Sequence, residues 1–218
     1  MNNTARETIL ESIRSHLATS APYDKQENSR GFTRMNADQN PSLSVEICGQ
    51  FKESLEAVDG HCMIVRGDEG IAQALTNIIQ GGRIAISDNP EVERLLQLTD
   101  LEIEELGIAP NAHDIFRFDV GISTVQAAIA ETGTLVLDST RERHRFVSLV
   151  PPVHIAIVRA SQLYRTLAEV LTLIQKDKEI SPAVTFITGP SRTADIELTL
   201  AIGVHGPQEL YVIIDEVS

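Results

Sequence analysis

Cysteine is scarce in this chain, with Cys48 and Cys62 the two among 218 residues. An iron–sulfur cluster ordinarily takes four thiolates, so the chain alone is short of ligands for one. A disulfide framework is not expected either, because a protein of this length holds itself together with its core. Both cysteines therefore read as small buried or half-buried hydrophobes. No apolar run approaches the roughly 18 residues that a membrane helix needs. The opening MNNTARETILESIRSHL alternates charged and apolar residues, where a secretory signal would be an unbroken apolar stretch. A cytoplasmic protein without membrane insertion is expected. No GxGxxG follows a strand, so a dinucleotide fingerprint is missing. Positive charge is in short supply: the formal net charge is −13, with a pI near 4.8. That balance argues against nonspecific nucleic-acid binding, which rests on Lys and Arg neutralising phosphates, and against adhesion to an anionic membrane face.

What is present describes an ordinary globular chain, 42% hydrophobic and 22% charged. Thr4 followed by Glu7 forms a capping-box signature, and Ile9, Leu10, Ile13 and Leu17 share a helical face. From Thr19 to Ser44 the sequence is polar and broken, which reads as a linker. The expected organisation is an N-terminal helix and linker over 1–45, then one α/β domain over 46–218.

In that domain Cys62–Val65 and Ile84–Ile86 are short apolar runs of strand length. Between them Asp68 is expected to cap a helix with Ile71, Leu75, Ile78 and Ile79 inward, stopped by Gly81-Gly82. Asn89-Pro90 supplies a cap and an N1 proline for a further helix with Val92, Leu95 and Leu96 inward. Further strands are expected at Thr134–Leu137, Val153–Val158, Val184–Ile187 and Leu210–Ile214. A helix capped by Ser161 should bury Leu163, Leu167, Leu171 and Ile174, and another should start near Thr193 or Ala194. Continuous apolar strands alternating with helices indicate a mostly parallel sheet flanked by helices.

Three segments depart from this patterning. Glu131-Thr132-Gly133-Thr134 places a carboxylate at a strand entrance, beside two hydroxyls and a glycine that admits close approach. Glu131 is the candidate base or nucleophile; a plain turn, with the threonines bonding the backbone, is the structural alternative. Arg141-Glu142-Arg143-His144-Arg145 concentrates basic charge in an acidic protein and leads to Ser148 and His154. It reads as an anion-binding edge, since guanidinium forks suit carboxylate or phosphate; an exposed loop paired with acidic surface is the alternative. Gly189, Pro190, Ser191, Arg192, Thr193 and Asp195 follow a strand and are expected to open a helix, where backbone N–H groups favour an anion. Past them, glycines bracket His205, and Gly206 completes a tight turn. The six histidines are scattered, so no metal site is expected.

ETGT at Glu131–Thr134, RxxSxxPxxHI from Arg145 to Ile155, GPSRTADIE from Gly189 to Glu197 and GVHGP from Gly203 to Pro207 together resemble the LUD-domain family. Their order and spacing resemble its lactate-utilization protein C branch (the LutC/YkgG family). The similarity at motif level covers roughly Gly121 to Glu216. The resemblance implies a fold similar to the sugar-phosphate isomerase and CoA-transferase (NagB/RpiA/CoA-transferase-like) superfamily. It also implies membership of a system oxidising L-lactate to pyruvate with two iron–sulfur partner proteins, which would hold the clusters that this chain lacks.

Three functions are weighed on these residues. One is an accessory subunit that binds lactate, pyruvate or another small anion, with Thr132, Gly133, Thr134, Arg145, Ser148, His154, the Gly189–Asp195 residues, His205 and Gly206 as ligand-binding candidates. Another is an independent enzyme of isomerase or acyl-transfer type using Glu131 on a phosphorylated or CoA-linked substrate. The third is a structural scaffold that binds no small molecule.

Overall fold

The computed structural model describes residues 41–108, 110–111, 113–139, 145–176, 183–194, 200–202 and 206–217. The expected N-terminal helix, most of the linker, Asp195 and His205 lie outside them. The first elements are α1 (Pro41–Glu56), β1 (His61–Val65), α2 (Gly67–Ile78), β2 (Gly82–Ile86), α3 (Pro90–Leu96), β3 (Ile103–Ile108) and β4 (Val120–Thr124). Next come β5 (Ala127–Ile129), β6 (Thr134–Asp138), the single turn α4 (Phe146–Leu149), β7 (Val153–Arg159), β8 (Leu163–Tyr164) and α5 (Leu167–Lys176). The last are β9 (Val184–Thr188), β10 (Arg192–Ala194), β11 (Leu200–Ile202) and β12 (Glu209–Asp215).

Among the described residues six strands form a parallel sheet in the order β1-β12-β7-β4-β2-β3. Both faces are covered, which is why its strands read as continuous apolar runs. On one face Ile84, Ile122, Ile155, Ile157 and Ile213 pack with Ile71, Leu75, Val92 and Leu95 of α2 and α3. On the other, Ala156, Val158, Leu210, Val212 and Ile214 pack with Ile47, Cys48, Phe51 and Leu55 of α1 and with Ala128, Leu135 and Leu137. Phe51 and Leu55 are fully buried, each contributing about 1.5–3 kcal/mol by leaving water. A second sheet, β8-β5-β6-β9, supplies that inner layer. Its outer face meets α5 through Val170 and Ile174.

The strand order contains a reversal. From β2 the chain passes through α3 to β3 at the sheet edge, then returns to form β4 on the other side of β2. The connections leaving β2 and β4 therefore diverge, opening a crevice above their carboxyl ends.

All six strands expected from apolar runs are present, but four lie in the parallel sheet and two, β6 and β9, in the second. Asn89 Oδ1 caps α3 by accepting from Glu91 N–H at 3.0 Å, with Pro90 at N1. Gly81 and Gly82, at φ 100° and 103°, follow α2 as expected.

Four local expectations are corrected. Helix α1 begins at Pro41, inside the stretch read as linker, because the i, i+4, i+8 set Ile47, Phe51 and Leu55 finds a sheet to bury against. Asp68 does not cap α2; it lies in the first turn and pairs with Arg94, which holds its carboxyl below the usual range. Ser161 sits in a short 3-10 turn, and the helix starts six residues later at Leu167. There Thr166 Oγ1 accepts from Glu169 N–H and Glu169 Oε2 accepts from Thr166 N–H, both at 3.4 Å, a capping box that outcompetes the lone serine. Leu167 and Leu171 are consequently exposed, with Val170 facing inward. Finally, Arg192–Ala194 is a strand paired antiparallel with Leu200–Ile202, not a helix start.

Candidate functional site

The residues singled out in the sequence fall mostly around the amino end of the parallel sheet. Gly133, at φ 62°, lets the β5–β6 turn lie against α1: a Cβ there would stand 2.4 Å from the Leu55 amide nitrogen. Gly189, at φ 75°, makes the same approach to the Val58 carbonyl oxygen, 2.6 Å from a notional Cβ. The two turns are joined by hydroxyls, with Thr132 Oγ1 2.6 Å from Thr134 Oγ1 and Thr134 Oγ1 2.7 Å from Thr188 Oγ1. Arg192 pairs with Asp59 at the end of α1. Thus the ETGT and GPSR segments meet, and the last turn of α1 lies between them.

The other two segments join from the side. Ser191 N–H donates to the Pro207 carbonyl at 2.7 Å, and a Cβ on Gly206 would lie 3.2 Å from Ser191 Cβ and 3.5 Å from the Leu149 carbonyl oxygen. Ser148, buried in α4, donates from Oγ to the Arg145 carbonyl at 2.9 Å. The Arg145 guanidinium lies over the Phe146 ring, 5.8 Å from its centroid. Beneath, His154 is buried on β7 with Nε2 2.9 Å from Ser123 Oγ; burial pushes its pKa down to about 3, so the ring is neutral.

Convergence here serves the fold first. Glu131 is exposed, and its Oε1 accepts the Leu167 N–H at 2.7 Å, closing the first turn of α5. Among the described residues no helix opens behind Gly189–Thr193, because β10 takes that place. Pro190 and Ser191 shape that turn, and the side chain of Thr193 is outside the description.

A polar cleft that the sequence reading missed lies at the opposite end of the sheet, in the crevice of the strand reversal. Its volume is about 210 Å³, and it is lined by Asn89, Glu91, Thr124, Val125, Gln126, Ile157, Arg159 and Gln162. Asn89 follows β2 and Thr124 ends β4; Asn89 Nδ2 donates to Thr124 Oγ1 at 2.9 Å, spanning the point where the two connections part. Gln162 locks the wall, donating from Nε2 to the Val125 carbonyl at 2.6 Å and accepting the Arg159 N–H at 2.8 Å. The Arg159 guanidinium is held by Asp215, with Nη1 2.5 Å from Oδ2, and by Glu91. Such crevices are the usual ligand sites of open α/β sheets. A charged residue ending the apolar run VHIAIV, and hydroxyl and amide residues straight after β4, were the available signals.

Both cysteines are core residues. Burial pushes the Cys48 thiol up to about 11 and the Cys62 thiol up to about 12, so neither is a ready thiolate. Among the described residues no helix is long and apolar enough to cross a membrane.

Comparison with known proteins follows the same architecture. The LUD domain profile matches residues 48–214. Lactate utilization protein C of an Exiguobacterium species is 42% identical over 189 residues, covering 84% of this chain and 74% of that protein. The protein of the same description from Halalkalibacterium halodurans is 31% identical over 194 residues, covering 86% and 77%. An uncharacterized protein of Neisseria meningitidis serogroup B is 43% identical over 99 residues, a match spanning 44% of this chain and 41% of that protein. The crystal structure of a DUF162 family protein from Deinococcus radiodurans superposes with a TM-score of 0.62 at 24% identity, covering 79% of this chain and 98% of that one; it shares the fold.

Proposed function

The chain belongs to the LUD domain family, and from that premise we propose that it serves an L-lactate utilization system as a cytoplasmic subunit that binds a small organic anion. The observation that carries this reading is the match to lactate utilization proteins C over about three-quarters of their length. Oxidation of lactate to pyruvate releases two electrons and two protons. In this reading two iron–sulfur partner proteins accept the electrons, and this chain holds no cluster. The thiols support that division: Cys48 and Cys62 are buried with α1 against the sheet, in protonated form. The polar cleft with its fixed arginine supports the anion-binding part.

The independent-enzyme alternative requires Glu131 as base or nucleophile, and no structural observation favours it. That carboxylate is exposed and occupied by the first turn of α5.

The test is affinity purification of the full chain from its own host grown on L-lactate, together with growth of a deletion strain. Co-elution of two proteins with iron–sulfur absorbance, and loss of growth on lactate restored by the gene, are expected. Recovery of the chain alone, with undiminished growth of the deletion strain, overturns the reading.

A further inference from the structure

The carboxylates around Arg159 are not equivalent. Asp215 is buried and doubly anchored: besides Arg159, its Oδ1 accepts the Gly67 N–H at 2.9 Å and the Val217 N–H at 3.1 Å. Asp68 lies 3.6 Å from Arg159, but Arg94 donates to both of its oxygens, at 2.5 and 3.2 Å. Glu91 lines the cleft, and among the described residues its carboxylate has Arg159 as its single hydrogen-bonding partner. Among the described residues three carboxylates thus surround two guanidiniums. A further carboxylate entering the cleft is repelled by these three unless one of them leaves, and Glu91 is the one that no other described residue holds.

We propose that this cleft is the binding site for a short carboxylate carrying an oxygen at its second carbon, and that Glu91 is an internal placeholder which the ligand's carboxylate displaces from Arg159. The proposal rests on the small-anion reading above and gives that anion a place.

The remaining groups fit such a ligand. With Glu91 swung out, the Arg159 Nη2 that Glu91 held turns to the ligand's carboxylate, while Asp215 keeps the guanidinium oriented through Nη1. Gln126 has its Oε1 occupied by the Asp138 N–H, and its Nε2 has no hydrogen-bond partner among the described residues. That amide is a donor for a hydroxyl or a keto oxygen and does not tell them apart. Val125 and Ile157 give the wall an apolar portion for a short alkyl group. At about 210 Å³ the cleft is smaller than the 300–1,000 Å³ of sites for drug-sized ligands, which restricts it to a few carbons. Because Glu91 is tethered beside the guanidinium, it competes at high effective concentration. Affinity is therefore set by the exchange of one carboxylate for another.

Calorimetric titration of the full chain with L-lactate, pyruvate, propionate and lactamide tests this, on wild type, Glu91→Gln, Gln126→Leu and Arg192→Ala. Glu91→Gln should tighten lactate and pyruvate by about tenfold or more. Gln126→Leu should remove their advantage over propionate, and lactamide should not bind. Arg159→Lys should weaken binding, but Arg159 also ties Asp215 into the fold, so the decision rests on Glu91→Gln. Equal or weaker binding by that variant, or lactamide binding as well as lactate, overturns the proposal. Lactate binding lost in Arg192→Ala while Glu91→Gln and Gln126→Leu change nothing leaves the anion reading standing and sinks this site. Binding of neither acid to wild type nor to Glu91→Gln sinks both.

Discussion

Ser123 Oγ and His154 Nε2 lie 2.9 Å apart across the neighbouring strands β4 and β7, both side chains out of contact with solvent. The other ring nitrogen, Nδ1, is buried without a hydrogen-bond partner. A proton added to this ring is a charge in the core without compensation. The folded-state pKa, about 3, lies below the ordinary 6.5, so the unfolded chain binds the proton more readily. This contribution to stability is therefore complete above 6.5 and is lost as the pH falls towards about 3. The loss approaches about 1.4 kcal/mol per pH unit inside that window. Urea denaturation across it should show a steeper fall for wild type than for His154→Asn, which keeps a donor for Ser123 and cannot titrate. Parallel curves would remove His154 as the cause.

Gly133 should tolerate no side chain. Its φ of 62° and the 2.4 Å from a notional Cβ to the Leu55 amide nitrogen combine backbone strain with a backbone clash. Gly133→Ala should cost at least about 2 kcal/mol, read as a lowered denaturation midpoint. An unchanged midpoint would mean that α1 yields easily at this contact.

Removing the Glu131 side chain should act on α5. The carboxylate satisfies one of the N–H groups that a helix start leaves open, so Glu131→Ala should destabilise by about 1 kcal/mol. Lactate binding should be unaltered once the melting shift is allowed for. A variant as stable as wild type but defective in lactate-dependent function would return Glu131 to the chemistry.

The two thiols should resist alkylation. Buried, and with their thiols pushed up to about 11 and about 12, Cys48 and Cys62 present almost no thiolate in the folded protein. Iodoacetamide should label neither in native buffer at about pH 8 and both in denaturant. Rapid native labelling would show that α1 separates from the sheet.

Features fixed by nearest neighbours in sequence were legible in advance. Asn89-Pro90 and Gly81-Gly82 act through their own backbones and needed no tertiary information. Strands β7 and β12 declared themselves because both sides are covered and their central positions are almost all apolar. Strand β3 did not, since it carries Glu104 and Glu105 at the sheet edge, and β4 was hidden by Gly121, Ser123 and Thr124. Gly121 makes room for α4: a Cβ there would stand 1.9 Å from the Val147 carbonyl oxygen. Ser161 and Thr193 carried plausible cap signals, but pairing with β5 and β11 decided those segments. The described parts of the ETGT and GPSR segments meet around the end of α1, and the contacts they make there are contacts of the fold. The cleft escaped because Asn89, Gln126 and Arg159 come from the ends of three different strands, and no spacing along the chain links them.

Strand β12 lies between β1 and β7, pairing His61 with Tyr211 on one side and Val153 with Glu209 on the other. During synthesis β1 leaves the ribosome long before the strand that must sit beside it. Until Glu209–Asp215 emerges, the hydrogen-bonding edges of β1 and β7 that β12 will cover are open to water and to other chains. The sheet therefore closes by insertion of its last-made strand, and a ribosome stalled shortly before it would leave two adhesive edges for chaperones to guard.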